Sequence, residues 1–233
     1  MAIVYKAQLV DSEYTAAITS TDNWNVAVGD LLVVFACSND SAVTINAIAD
    51  SAGNTYTLLT ELDSNNSVMR VGWCIATNAG ATTTITVTGS AAATLSIWAV
   101  SFTPDAGDTV TREFTATGSG AWDASPWATG ADSTTGDDEA VVACFMTGSG
   151  DRTFSSQVIG GTAATVLTAA NGGGTYFYRI LTGAAEDIIA QTNVSGAAAF
   201  AAHLLAFKST GGEPAGSIVP QAMMHYMRKK AGG

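Results

Sequence analysis

Two histidines, three cysteines and a short run of acids are the residues of this 233-residue chain with chemistry to offer. Nucleophilic catalysis needs an imidazole held against a hydroxyl or thiol and oriented by a third group. His203 instead stands in an apolar stretch, and His225 stands beside Tyr226 close to the C-terminus. Packing is the reading for His203, and an interface contact for His225. Cys37, Cys74 and Cys144 all lie in apolar runs without CxxC spacing. An odd number of widely spaced, apolar-flanked cysteines points to free thiols rather than a disulfide frame or a zinc site. The sequence contains no HExxH and no Walker-type Gly-Lys-Ser/Thr. Gly172-Gly173-Gly174 precedes a strand pattern and not a helix, so it reads as a hairpin loop rather than a phosphate cradle. The chain is expected not to be an enzyme.

Calcium is the one metal the composition suggests. Asp137, Asp138 and Glu139 are adjacent, and Asp105 and Asp108 could approach them across the edge of a sheet. Loop carboxylates with carbonyls suit a hard cation. Against this, Asp63-Ser64-Asn65-Asn66 lacks the glycine and distal glutamate of an EF-hand loop. Solvated turn aspartates are the simpler account, and no cofactor is expected.

Two surfaces point to partners. Of the tryptophans, Trp73 and Trp98 sit at core-like spacing, whereas Trp122 and Trp127, in Gly-Ala-Trp-Asp-Ala-Ser-Pro-Trp, have little apolar company. Exposed aromatics anchor protein contacts or stack on a sugar face, and a protein contact is the favoured reading. The second surface is the C-terminal segment, where a turn of helix beginning near Pro220 would place Met223, Tyr226 and Met227 on one face. Met224 extends this adaptable surface, and Arg228, Lys229 and Lys230 complement the carbonyl end of the helix. So short a helix does not fold alone. It either folds back on its own body or docks into a neighbouring subunit or another protein; membrane binding would be marginal. The expected partner-binding residues are therefore Trp122, Trp127, Met223, Met224, Tyr226, Met227, Arg228, Lys229 and Lys230.

Short strands must carry these groups. Residues 28–37, Val-Gly-Asp-Leu-Leu-Val-Val-Phe-Ala-Cys, set a Gly29-Asp30 turn before a run with no charge and no breaker. The pattern returns as Gly136-Asp137-Asp138-Glu139 followed by Ala-Val-Val-Ala-Cys-Phe-Met at 140–146. Each run reads as a fully buried strand. Further strands are expected at 3–10, 14–18, 43–48, 56–62, 69–76, 82–88, 93–102, 110–116, 175–181, 187–194 and 200–207. The second half repeats the first loosely: 140–146 answers 31–37, 175–181 answers 70–76, 187–194 answers 82–88, and 200–207 answers 95–102, with His203 at the place of Trp98. About fourteen short strands with frequent turns predict an all-β, antiparallel β-sandwich, jelly-roll-like and built from two weakly repeated halves, about 1–104 and 105–207. One domain over 1–207 is expected, because each half alone would turn mostly Ala, Val and Thr inward. Residues 208–233 read as a flexible linker followed by a docking segment or short helix.

Composition narrows the partners. Hydrophobic residues make up 47% and charged residues only 12%, with 24 glycines, which suits strands and tight turns under a neutral polar surface. Residues 1–207 hold five basic residues against nineteen acidic ones, a net charge of −14, whereas 208–233 carry +3. An acidic body repels phosphate backbones, so no nucleic acid is expected. No apolar stretch is long enough for a bilayer, and the N-terminus does not read as a secretory signal. A surface-type composition without disulfides or export signal fits assembly in a host cytoplasm into a particle; an ordinary cytosolic domain would carry more Lys and Glu.

The runs at 28–34, 50–58 (Asp-Ser-Ala-Gly-Asn-Thr-Tyr-Thr-Leu) and 80–87 (Gly-Ala-Thr-Thr-Thr-Ile-Thr-Val) resemble β-sandwich proteins common among tailed-phage virion proteins and some bacterial surface proteins. The resemblance covers roughly residues 26–207, and the basic Met-rich tail is similar to short C-terminal extensions of phage structural proteins. It implies a structural or adhesive domain with no catalytic residues, located in the virion. Its expected role is a capsid decoration, cement or head-accessory protein. Partners would be the major capsid protein or other virion proteins, and further copies of itself in a homo-oligomer. The alternative is a receptor- or glycan-binding module of a tail or fibre.

Overall fold

Apolar runs separated by Gly, Asn, Asp and Ser turns have no helical period, and the computed structural model is all-β. It describes residues 3–64, 67–123, 125–136, 138–147, 152–167 and 173–210, without the side chains of 121–123. The first half comprises β1 (Ile3–Thr19), β2 (Trp24–Val26), β3 (Leu31–Ser38), β4 (Ile45–Asp50) and β5 (Thr57–Leu58). It continues with β6 (Leu62–Asp63), β7 (Val68–Ile75), β8 (Gly80–Thr83) and β9 (Ile85–Pro104). The second half opens with β10 (Thr109–Asp123), β11 (Trp127–Ala128), β12 (Asp132–Ser133), β13 (Glu139–Thr147), β14 (Phe154–Ile159) and β15 (Thr162–Ala163). It closes with β16 (Thr165–Val166), β17 (Gly174–Leu181), β18 (Asp187–Ile188), β19 (Ala190–Val194) and β20 (Ala198–Thr210).

The first large sheet runs β1-β9-β3-β7-β5, and the second runs β10-β20-β13-β17-β16. Strand for strand, the two orders correspond: an edge strand, the last long strand of the half, the apolar run, and then a strand that three elements separate from it along the chain. Smaller pairings correspond too, with β2 on β8 and β12 on β18, and with β4 on the start of β9 and β14 on β19. All these ladders are antiparallel.

Every residue of β3 and of β13 is buried because each strand lies between two cores. Leu31, Val33, Phe35 and Cys37 meet Ala140, Val142, Cys144 and Met146 in a central core shared by the two large sheets. Leu32, Val34 and Ala36 face the outer core of the first half with Trp24, Ile45, Ile85 and Val87. Val141, Ala143 and Phe145 face the outer core of the second with Trp127, Ile159, Ile188 and Ala190. The layers are thus small sheet, large sheet, large sheet, small sheet. A strand covered on both faces needs an unbroken apolar run, which accounts for the sequence of β3 and β13.

The central seam is aromatic. Tyr5 stacks on Tyr178 with ring centroids 5.1 Å apart, Trp98 on Tyr176 at 5.9 Å, and Trp73 tilts against Phe207 at 5.3 Å. Gly174, read from sequence as part of a hairpin loop, opens β17 and makes room for this seam. A Cβ there would stand 2.1 Å from Cη2 of Trp98 and 2.6 Å from the Phe145 carbonyl oxygen.

Several segmentations differ from expectation, and those at 56–62 and 187–194 each break into two short strands. Strands expected at 3–10 and 14–18 form one strand, β1, carried past Tyr5/Ala7 and Thr15/Ala17 by register shifts. Those at 82–88 and 93–102 split at Thr84, so that β8 stands apart and β9 runs on for 20 residues. Its first part pairs with β4 and its last part with β3, so it turns a corner between layers without losing the ladder to β1. Strand β20 extends three residues past Phe207, so Lys208, Ser209 and Thr210 belong to the folded body rather than to the linker.

Candidate functional site

His203 is 1% exposed and lies opposite Cys144 in the register, beneath the central seam. Burial lowers its pKa to about 4, with the Thr60 backbone acting the other way, so the ring is neutral at physiological pH. Cys37, Cys74 and Cys144 are free and buried. Burial first, and then Asp50, push the Cys74 thiol up to about 12, with the Tyr56 hydroxyl opposing them. Burial first, and then Cys37, raise Cys144 well above the usual thiol range. The nucleophilic form of cysteine is the thiolate, and these surroundings hold the Cys74 and Cys144 thiols protonated.

Trp127 corrects an expectation. It is 1% exposed, stacked on Phe200 at 4.8 Å and edge-on to Phe154 at 5.9 Å, so its ring is spent in the outer core of the second half. The strand β11, paired with β19, turns the side chain inward, which the polar neighbours in sequence conceal. Trp122 lies in β10, and its side chain is outside the described residues, as are Met223, Met224, Tyr226, Met227, Arg228, Lys229 and Lys230. An exposed aromatic that sequence reasoning missed is on β1, where Tyr14 is 73% exposed near the far end of the strand. The signal that could have found it is the edge position of β1, which follows from topology and not from residue order.

The end of β20 gathers most of the notable polar groups. At the end of β20, Thr210 pairs with Thr109, and Lys208 lies opposite Glu139. The Ser209 hydroxyl donates to the Asp108 carboxylate at 2.8 Å, and the Ser209 N–H donates to the Asp138 carbonyl at 2.9 Å. Asp108 and Asp138, suggested from sequence as partners in a calcium loop, are therefore brought to one end, but Ser209 lies between them. Asp137 lies outside the described residues, and among those described no group of three or more His, Cys, Asp or Glu is gathered as metal ligands would be. Lys208 donates to the Thr135 hydroxyl at 2.7 Å. The Thr135 and Gly136 N–H groups donate to Oε1 of Glu139 at 3.2 and 3.1 Å. Burial first, and then Glu113, push the Glu139 carboxyl up to about 7.

The same end receives the start of the chain. Ile3 pairs with Pro104, and only the turn closed by the Asp108 N–H on the Asp105 carbonyl, at 3.1 Å, separates Pro104 from Thr109. Ile3 and Thr210 thus flank one acidic turn. No protein-family model matches the chain, and neither the curated proteins nor the solved structures provide a match.

Proposed function

We propose that this chain is a non-enzymatic structural protein of a phage virion, a capsid decoration or head-accessory protein that docks through its termini. The observation that supports this reading is the position of the two chain ends. Ile3 and Thr210 emerge at one end of a four-layer body, so segments attached there act on a single face while the other end projects. The charge distribution is in keeping with it: residues 3–210 hold six basic residues against nineteen acidic ones, whereas 211–233 hold Arg228, Lys229 and Lys230 against Glu213. A basic tail leaving an acidic body suits a neighbouring acidic surface, including the body of another copy, and symmetric repetition of one such contact covers a shell.

The test is reconstitution. Purified full-length chain and a chain ending at Thr210 are each added to particles assembled without it, and bound protein is counted per capsid subunit. Saturable binding of the full chain, weakened at least tenfold by the truncation and by high salt, is the expected result. Equal binding of both chains, or no binding of the full chain, overturns the proposal.

A further inference from the structure

The two halves handle one corner differently. In the first, the register shift between Tyr5 and Ala7 leaves Lys6 as the extra residue of a bulge in β1. Its ammonium bonds the carboxylate of Asp30, which precedes β3 and is 1% exposed. Asp30 also accepts from the Ala27 N–H and the Thr103 hydroxyl, each at 2.7 Å. In the second half, the shift between Arg112 and Phe114 leaves Glu113 at the place of Lys6. Leu31 faces Phe102 as Ala140 faces Phe207, so Glu139 stands at the place of Asp30, and Lys208 at that of Thr103. The cation of the first corner has become an acid.

Among the described residues nothing in the second corner replaces it. Glu139 is 0% exposed and its Oε2 has no hydrogen-bond partner; both carboxylate oxygens of Glu113 are likewise buried without one. Lys208 turns its ammonium to Thr135 instead, Arg112 lies over the Trp73 ring, and Arg179 is paired with Glu186. Two neighbouring carboxyl groups removed from water need a proton or a cation to offset their like charges.

We propose that Glu113 and Glu139 bind one divalent cation of the calcium class, seated where the Lys6 ammonium sits in the first half. The free donors are three carboxylate oxygens, Oε2 of Glu139 and both of Glu113, which suit a hard ion. Oε1 of Glu139 is fixed by two backbone N–H groups, which leaves Oε2 as its free oxygen. The ion ties the edge strand β10 to β13 across β20, as Lys6 ties β1 to the start of β3.

Calcium titration of the metal-stripped full chain, read by calorimetry and by the thermal midpoint, tests this. The expected result is one ion per chain and a midpoint raised by about 2–8 °C at saturating calcium. Glu113→Gln is expected to weaken binding at least tenfold. Glu113→Lys, which rebuilds the pair of the first half, is expected to abolish binding and raise the midpoint in calcium-free buffer. Absence of saturable binding by the unaltered chain, or undiminished binding by either variant, overturns the proposal. A midpoint that answers to pH but not to calcium shows that the pair holds only a proton, and overturns it equally.

Discussion

His203 carries the pH dependence expected of a single residue. The unfolded chain protonates its imidazole below about pH 6.5, whereas the folded chain resists until about 4. Between these values the unfolded state binds more protons, so the stabilisation is complete above pH 6.5 and is lost as pH falls through the window. The loss amounts to about 3 kcal/mol. Chemical denaturation at pH 7 and pH 4.5 checks it: His203→Leu is expected to lose much less stability on acidification than the unaltered chain. Sequence comparison of 200–207 with 95–102 had already set His203 at the place of Trp98, and so among packing residues. Trp127 was not legible in this way, because Ser125, Pro126 and Gly130 around it describe a loop, while its pairing with Thr192 turns the ring into the core. The Glu113–Glu139 contact was hidden for a similar reason: 26 positions separate its members, and only a strand lying between their own strands brings them together.

At the scale of the element, β3 explains why its sequence shows no alternation. Val33 faces the central core and Val34 the outer one, and both are fully buried. Val33→Ala and Val34→Ala are therefore each expected to cost about 2–3 kcal/mol, from lost transfer energy and the cavity left behind. A strand with one solvent face would tolerate one of the two, and equilibrium denaturation of both variants distinguishes the cases. The run 31–37 was readable as a buried strand because it lacks charges and breakers. The long strands were not readable at full length. Gly89, Ser90 and three alanines look like a turn, yet the chain there bends and β9 stays extended, with β1 bonded to residues on both sides. Pairing overrides a weak local preference, and composition carries no record of it.

At the scale of the whole molecule, the seam between the large sheets is the decisive contact, and Gly174 is its most sensitive point. Gly174→Ala would drive a methyl group into the Trp98 ring and the Phe145 carbonyl, with an expected cost of about 1–3 kcal/mol. Because one of the two obstacles is a side chain, Trp98→Ala in the same chain is expected to couple with it, and a double-mutant cycle on thermal stability measures that coupling. Residue order by itself determined that the protein is all-β, that two strands are buried on both faces, and that an acidic body carries a basic end. These are properties of composition and of period, and they are written locally. Only the tertiary structure decided that the large sheets meet face to face, that Ile3 and Thr210 lie beside one acidic turn, and that two glutamates replace a lysine and an aspartate at one corner. Each of those facts depends on which strands pair and in what register, and register is set by cores whose members lie up to a hundred and more positions apart along the chain.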